Sequence, residues 1–367
     1  MQRRVDPEER AADGGRAAAT DPAGSFVTVD SAAVARNWRR LTQRTGAEVG
    51  AVVKADAYGH GIVDVAPALA AAGCRTYFVA LPEEGLALRR ALPDAAIYVL
   101  NGVFGDPREA IGARLTSFLS SGEAVAEWPA DAPFALNVDT GMNRLGLTVP
   151  EALAYRGPRP ALLASHFACA DTPGHPKNVA QEEAFAAVRA RFADVPASLA
   201  NSAALLTRPA AHHDLVRPGI ALFGACAAEG VAALEPTVRL EARIIQVRRA
   251  ATGETVGYGA AQTLGRDSRI AIASLGYADG YLRAAGGSDA ARGAPAAVNS
   301  VPVRLVGRVS MDLVAVDVTD APCARGDLVE LIGPNVPVDE VARHAGTIGY
   351  ELLTGLSRRT ERRVGPL

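Results

Sequence analysis

The sequence predicts an α/β protein with an N-terminal (β/α)8 TIM-type barrel followed by a C-terminal, mainly antiparallel β domain. From Phe26 onward, short β-rich runs alternate with alanine-rich helical segments over about 200 residues, a length typical of such a barrel. After Leu234 the pattern changes to short alternating strands separated by Gly, Asp, Asn and Pro. The length of 367 residues exceeds what one hydrophobic core usually supports, so two domains are expected.

Eight strands are predicted in the barrel, at 49–53, 77–81, 97–100, 115–119, 134–138, 162–166, 197–200 and 220–223. Segments with helical periodicity lie between them, among them 63–72, 82–91 and 179–192. An open, doubly wound sheet is the alternative arrangement of such elements. That fold usually has a glycine-rich first turn, and the sequence contains neither this turn nor a GxxxxGK[ST] phosphate loop.

The predicted domain bounds are 1–24 for a leader, 25–233 for the barrel and 234–367 for the β domain. The longest apolar run of the leader is 17–19, whereas a secretory signal needs roughly 7–15 apolar residues. We therefore expect a disordered or tag-like extension. In the β domain, the small Gly- and Ala-rich residues 284–300 are expected to form a mobile loop.

Charge and cysteine content exclude several classes of protein. The formal net charge is −2 without long runs of one sign, so no nucleic-acid or anionic-membrane partner is expected. No apolar stretch approaches the roughly 20 residues that span a bilayer. The four cysteines lie far apart and lack metal-ligand spacing, and they are Cys74, Cys169, Cys226 and Cys323. This distribution favours a reducing cytoplasm and predicts no metal site.

The first candidate for chemistry is Lys54 in AVVKADAYGHG, residues 51–61. It follows the first predicted barrel strand, and the catalytic groups of such barrels gather where the strands end. A lysine amine at this place can form a covalent link with a carbonyl cofactor.

The string VVKADAYGHG, residues 52–61, resembles the cofactor-attachment sequence of alanine racemases. Segments further along resemble the same family in the same order, namely DTGMNRLG, SHFACAD, NSAALL, VRPGIALFG, VGYGAAQT, LGYADGY, VGRVSMD and GDLVELIG. The resemblance extends from Phe26 to Ser357. It implies a cytoplasmic homodimer with pyridoxal phosphate and active sites shared between subunits. The implied activity is an isomerase reaction that interconverts L- and D-alanine and supplies D-alanine for peptidoglycan.

The resemblance also implies the proton carriers. Lys54 would hold the cofactor and act as the base on the D-face, and Tyr258 of the partner subunit would act on the L-face. Racemisation needs two groups because one removes the α-proton and the other replaces it. Arg217 would face the pyridine nitrogen, to which a guanidinium does not readily give a proton. His166 would lie beneath the ring and link Arg217 to Tyr258.

Further roles carried over from the family concern binding. The expected phosphate ligands are Tyr58, Ser202, the backbone N–H groups of Gly219 and Ile220, and Tyr350. The expected substrate-binding residues are Arg144, which would also contact the cofactor, with Met311, Asp312 and Tyr277.

The chain departs from the family pattern at Asn137, where many members carry a carbamylated lysine that hydrogen-bonds this arginine. Because asparagine cannot be carbamylated, we expect a bound anion such as chloride near Asn137 and Arg144. GAAQT after Tyr258 and SRRTERRV near the C-terminus are further departures.

Three alternatives stay open. The Asn137 change also occurs in broad-specificity relatives, so a racemase for Ser, Lys, Arg or Met is one of them. A decarboxylase with the same barrel would need a carboxylate where Arg217 stands. A cofactor carrier protein without catalysis would resemble the barrel alone, whereas this chain keeps Tyr258 and the β domain.

Overall fold

The computed structural model describes residues 24–356 and 359–367. Within this part of the chain, a barrel is followed by a β domain, and no helix has both the length and the apolarity to cross a bilayer. The expectation for the leader falls on residues outside the described ones, except for Gly24.

The strands are numbered along the chain, and β1 (Ser25–Val29) precedes the barrel. The barrel region contains β2 (Glu48–Val49), β3 (Ala51–Val52), β4 (Thr76–Val79), β5 (Ala96–Val99), β6 (Leu115–Leu119), β7 (Phe134–Asp139), β8 (Leu147–Thr148), β9 (Leu162–Ala164), β10 (Ala197–Ser198) and β11 (Leu215–Val216). The β domain contains β12 (Val238–Ala250), β13 (Thr255–Val256), β14 (Gln262–Thr263), β15 (Ser268–Ala273), β16 (Pro295–Val298), β17 (Val301–Leu305), β18 (Val314–Asp317), β19 (Leu328–Ile332) and β20 (Glu361–Val364).

The helices up to residue 207 mostly follow strands of the barrel region. They are α1 (Ser31–Thr42), α2 (Lys54–Tyr58), α3 (Ile62–Ala72), α4 (Pro82–Ala91), α5 (Arg108–Gly112), α6 (Gly122–Glu127), α7 (Val149–Ala154), α8 (Pro176–Arg191) and α9 (Ser202–Thr207). Two further helices, α10 (Val338–Ala345) and α11 (Gly349–Thr354), pack against each other in the C-terminal region, and α11 also packs against α2.

Eight parallel strands close into the predicted barrel. The order β3-β4-β5-β6-β7-β9-β10 is continuous, and β2 and β3 form one strand interrupted at Gly50. β11 pairs in parallel with β2, and the backbone N–H of Gly50 donates to Val216 at 3.0 Å. On the other side of β11, the N–H group of Asp214 donates to the carbonyl of Ala197 in β10 at 3.1 Å. The N–H group of Arg217 donates to the carbonyl of Ala200, just after β10, at 2.9 Å. These bonds complete the ring, so the predicted fold class is confirmed.

The eighth strand differs from its prediction. Residues Ile220–Phe223 form a 3-10 helix, and the closing strand is β11. The apolar run 220–223 is fully buried, as a buried strand would be, so the hydrophobic pattern does not separate the two structures. Pro218 has no N–H, and Gly219 donates its N–H to Ser202, so the chain leaves the strand ladder at this point.

The main sheet of the β domain has the order β15-β18-β17-β16-β19-β12-β1-β20. Its pairs are antiparallel except β1 with β20, which confirms a mainly antiparallel domain. Although β1 precedes the barrel, it pairs with β12 from Ser25↔Ala242 to Val29↔Val238. The N-terminal strand therefore belongs to the C-terminal sheet, across the boundary expected from the sequence.

The expectation of a mobile loop at 284–300 is wrong for its second half. β16 lies between β17 and β19, and Ala296, Ala297 and Val298 are buried. The cause is tertiary packing, because this central strand accommodates alanine side chains, which have low β-propensity on their own.

Candidate active site

A cavity of about 400 Å³ opens where the barrel strands end. The structure brings ten of the predicted site residues to its wall, namely Lys54, Tyr58, Asn137, Arg144, His166, Ser202, Arg217, Gly219, Ile220 and Tyr350. The other four, Tyr258, Tyr277, Met311 and Asp312, do not line it. Ten of the predicted residues thus share one cavity, and the other four lie elsewhere on the chain.

Lys54 begins a left-handed turn. The residues from Ala55 to Tyr58 have φ between 52 and 54°, although none of them is glycine. Each costs about 1–2 kcal/mol relative to a right-handed helix. The turn ends at Gly59, whose φ of 78° suits glycine and where a Cβ would lie 2.0 Å from the carbonyl oxygen of Leu353. Strain of this kind persists where surrounding contacts determine the conformation, and here it points Lys54 and Tyr58 into one cavity.

The amine of Lys54 is made less basic by its surroundings. Burial lowers the pKa of Lys54, and the positive charge of Arg144 lowers it further, while Glu84 partly opposes both. A larger fraction of the amine is therefore neutral near pH 7 than for a lysine in water. A neutral amine can attack a carbonyl or accept a proton.

Arg217 lines the cavity and is 5% exposed. Its guanidinium donates to the carbonyl of Ser165 at 2.6 Å and to the hydroxyl of Ser198, and it lies 3.5 Å from Nδ1 of His166. Burial lowers the pKa of Arg217 to about 10, so the group stays positively charged at neutral pH. No carboxylate forms an ion pair with it among the described residues.

His166 is neutral in this environment. Burial, followed by the charges of Arg217, Arg144 and Lys54, lowers the pKa of His166 to about 3. The backbone carbonyl of His166 accepts from the amide of Gln181 at 2.9 Å, which fixes the end of β9. A neutral imidazole can therefore contact a ligand without adding a further positive charge.

A polar cradle forms another part of the cavity wall. The hydroxyl of Ser202 accepts from the N–H groups of Gly219 at 2.8 Å and Ala221 at 3.3 Å, so its own proton remains available. A Cβ on Gly219 would lie 2.3 Å from the hydroxyl oxygen of Tyr58, so only glycine leaves this space open. Burial raises the pKa of Tyr58, and that of Tyr350 to about 12, so both phenols keep their protons. These donors suit a phosphate group.

The loop after β7 presents Arg144. The carboxylate of Asp139 accepts from the backbone N–H groups of Gly141, Met142 and Arg144 at 2.7–2.9 Å, and this turn fixes the loop. The guanidinium of Arg144 forms no hydrogen bond or ion pair with the residues that the structure describes. It is therefore free to bind the carboxylate of a ligand in the cavity.

Asn137 lies on β7 beside this loop. Its amide nitrogen donates to the carbonyl of Leu145 at 3.0 Å and to the hydroxyl of Ser120 at 3.2 Å. The side chain thus ties β7 to the two neighbouring loops and has no negative charge to offer Arg144.

The four predicted residues outside the cavity lie on loops of the β domain. Tyr258 is 72% exposed, Met311 53% and Tyr277 42%, and Asp312 is exposed as well. The loops contact one another, since Tyr277 donates its N–H to Ser310 at 3.0 Å and Gly259 packs on Arg308. Exposed aromatic and apolar side chains grouped in this way are typical of interaction surfaces.

Two residues that the sequence interpretation missed are Asp139 and Glu84, whose carboxylates hold the loops bearing Arg144 and Lys54. Asp139 begins the segment DTG, in which an aspartate followed by a small polar residue and glycine is a signal for an Asx-type turn. Glu84 is the third residue of α4, where a capping glutamate is common.

A closed βα barrel whose mouth presents a lysine of lowered basicity and a polar cradle, followed by a β domain, defines a barrel-type pyridoxal-phosphate enzyme. Two family models match almost the whole chain, "Alanine racemase, N-terminal domain" at residues 29–227 and "Alanine racemase, C-terminal domain" at residues 237–364. The chain belongs to the alanine racemase family.

Similar proteins agree with this assignment. The chain is 49% identical over 361 residues to "Alanine racemase, biosynthetic" of Agrobacterium fabrum, with 92% of each chain covered. It is 43% identical to "Alanine racemase, catabolic" of Mesorhizobium japonicum, with 93% of each covered. Among solved structures, the alanine racemase from Bartonella henselae with covalently bound pyridoxal phosphate matches with a TM-score of 0.86 and 35% identity, covering 94% of this chain and 100% of the other.

Proposed function

We propose that the protein interconverts L- and D-alanine with pyridoxal phosphate held on Lys54. The observation that carries this proposal is the pairing, in one cavity, of a lysine of lowered basicity with a buried Arg217 that no described carboxylate neutralises. The bound cofactor withdraws electrons from the α-carbon of an amino acid, which makes the α-proton removable.

The residues present fit this cofactor. Tyr58, Ser202 and the open space at Gly219 would hold its phosphate, with Tyr350 closing that end. Arg217 would face the ring nitrogen. Because a guanidinium keeps its proton, Arg217 limits how far negative charge spreads into the ring, and this favours return of a proton to the α-carbon over loss of carbon dioxide.

Arg144 would orient the substrate by binding its carboxylate. The same positive charge keeps the amine of Lys54 less basic, so that the neutral amine can take the α-proton from the D-face at neutral pH. Because His166 is neutral, it would contact the cofactor without adding a second positive charge beside Arg217.

The second proton carrier would come from another copy of the chain. We infer a homodimer in which the partner subunit's Tyr258 acts on the L-face, with the partner subunit's Met311, Asp312 and Tyr277 beside the substrate. The exposure of these side chains on adjoining loops, together with their absence from the lining of their own chain's cavity, supports this arrangement.

An anion such as chloride is proposed beside Arg144, near Asn137. The N–H groups of Asn137 are used by Leu145 and Ser120, so the attraction would come from the guanidinium. Crystals grown in bromide should show an anomalous peak within about 3.5 Å of the Arg144 guanidinium, a distance usual for such contacts. Water alone at this place would contradict the proposal.

The cellular setting is proposed from the same properties. All four cysteines are unpaired, which favours a reducing cytoplasm. D-alanine made there would serve peptidoglycan synthesis. A relative described as biosynthetic supports this role, and one described as catabolic provides the alternative.

The full-length protein with added pyridoxal phosphate tests the proposed activity. Initial rates with L-alanine, serine, lysine, arginine and methionine should be highest for alanine, and the product should be the D-enantiomer, measured by chiral chromatography. Comparable rates for all five would favour the broad-specificity alternative. Release of carbon dioxide without racemisation would contradict both.

A further inference from the structure

The carboxylate of Glu84 joins the ends of two neighbouring barrel strands. One oxygen accepts from the backbone N–H of Ala55 at 2.6 Å, directly after Lys54. The other accepts from the N–H groups of Ala80 and Leu81 at 2.7 and 3.1 Å, directly after β4. Three amides from two loops therefore converge on one side chain.

The amide of Ala55 is the first in the left-handed turn, where φ is 52°. At the start of a helical turn the N–H groups have no partner within the turn, and a carboxylate is a strong acceptor for them. Glu84 thus stabilises the strained turn at the residue next to the reactive amine.

Glu84 also acts on Lys54 through its charge. Lys54 shares its cavity with the positive groups Arg144 and Arg217, the neutral His166 and the acidic Asp139. Arg144 lowers the pKa of Lys54, and the carboxylate of Glu84 opposes that effect. Removing this charge would make the amine less basic still.

We propose that Glu84 is a positioning residue that holds the turn carrying Lys54 and sets the pH at which that amine reacts with a carbonyl cofactor. This inference rests on the proposed attachment of pyridoxal phosphate to Lys54. It assigns Glu84 a role in cofactor attachment, which can be measured without racemisation.

The chain offers a matched control in Glu83, the preceding residue, which is exposed. Glu84→Gln and Glu83→Gln remove the same charge at adjacent positions. At position 84, glutamine turns an N–H toward backbone N–H groups and loses at least one of the three hydrogen bonds, whereas glutamine at position 83 breaks none of these.

The experiment mixes full-length protein, freed of cofactor, with saturating pyridoxal phosphate, and follows the attachment rate by absorbance from pH 6 to 10. In Glu84→Gln, the midpoint of the rate–pH curve should move about half a unit or more to lower pH, since a nearby negative charge is lost. The maximal rate should fall by about tenfold because hydrogen bonds to a charged acceptor are lost. Glu83→Gln should match the wild type.

A midpoint in Glu84→Gln equal to that of Glu83→Gln would overturn the inference. Glu84→Asp keeps the charge but shortens the side chain, so it should keep the wild-type midpoint and lower only the maximal rate. A wild-type maximal rate in Glu84→Asp would also overturn it. If the wild type itself forms no reducible link to Lys54, the proposed function fails instead, independently of Glu84.

Discussion

Replacing Lys54 with alanine should abolish racemisation of both enantiomers and the visible absorbance of covalently bound cofactor. The amine is the attachment point and also the base on one face, so no partial activity should remain. The change is measured by absorbance, by chiral chromatography, and by mass spectrometry after borohydride reduction.

The chain supplies its own control, because its two lysines are Lys54 and Lys177. Lys177 lies on α8 and does not line the cavity. Lys177→Ala should therefore keep the cofactor and the activity, and the reduced adduct should map to Lys54. An adduct on Lys177, or racemisation by Lys54→Ala at the wild-type rate, would end the assignment.

Replacing Tyr258 with phenylalanine should lower racemisation by about 10²–10⁴-fold, the usual contribution of a positioned acid or base. Cofactor binding should persist because Tyr258 does not line the cavity of its own chain. The loss of α-proton exchange should affect one enantiomer only. In D₂O the α-proton of D-alanine should still exchange through Lys54, whereas that of L-alanine should not.

Tyr155→Phe is a suitable control for this prediction. Its hydroxyl donates to the carbonyl of Pro158 at 2.8 Å, outside the cavity, so racemisation should be retained. Equal loss of exchange from both enantiomers in Tyr258→Phe would contradict a role on one face.

Much of the fold could be predicted because hydrophobic periodicity reports burial directly. The helix Pro82–Ala91 begins and ends where its pattern does, and the long strand Val238–Ala250 follows its alternation. The closing strand could not be found in this way, since a buried 3-10 helix and a buried strand both give a short apolar run. The position of β1 was missed because pairing with a strand about 200 residues later leaves no local signal.

The residues that line the cavity could be predicted where a residue of suitable type follows a barrel strand, as for Lys54, His166 and Arg217, and their roles stay predictions. Glu84 and Asp139 were missed because their effect arises from backbone amides that converge only in the folded loops. Likewise, the left-handed turn from Ala55 to Tyr58 could not be predicted, because it contains no glycine to indicate a positive φ.

The central claim is that one active site draws Lys54 from one subunit and Tyr258 from the other, and subunit mixing tests it most directly. Equal amounts of the Lys54→Ala and Tyr258→Phe proteins, each inactive alone, are mixed so that their subunits pair at random. Subunits labelled to differ in mass verify that the exchange has occurred. Half the dimers are then hybrids, and one of the two sites in each hybrid has both residues intact, so activity should recover to about a quarter of the wild-type value. If both residues served a site within one chain, every hybrid site would carry a substitution and activity would not recover.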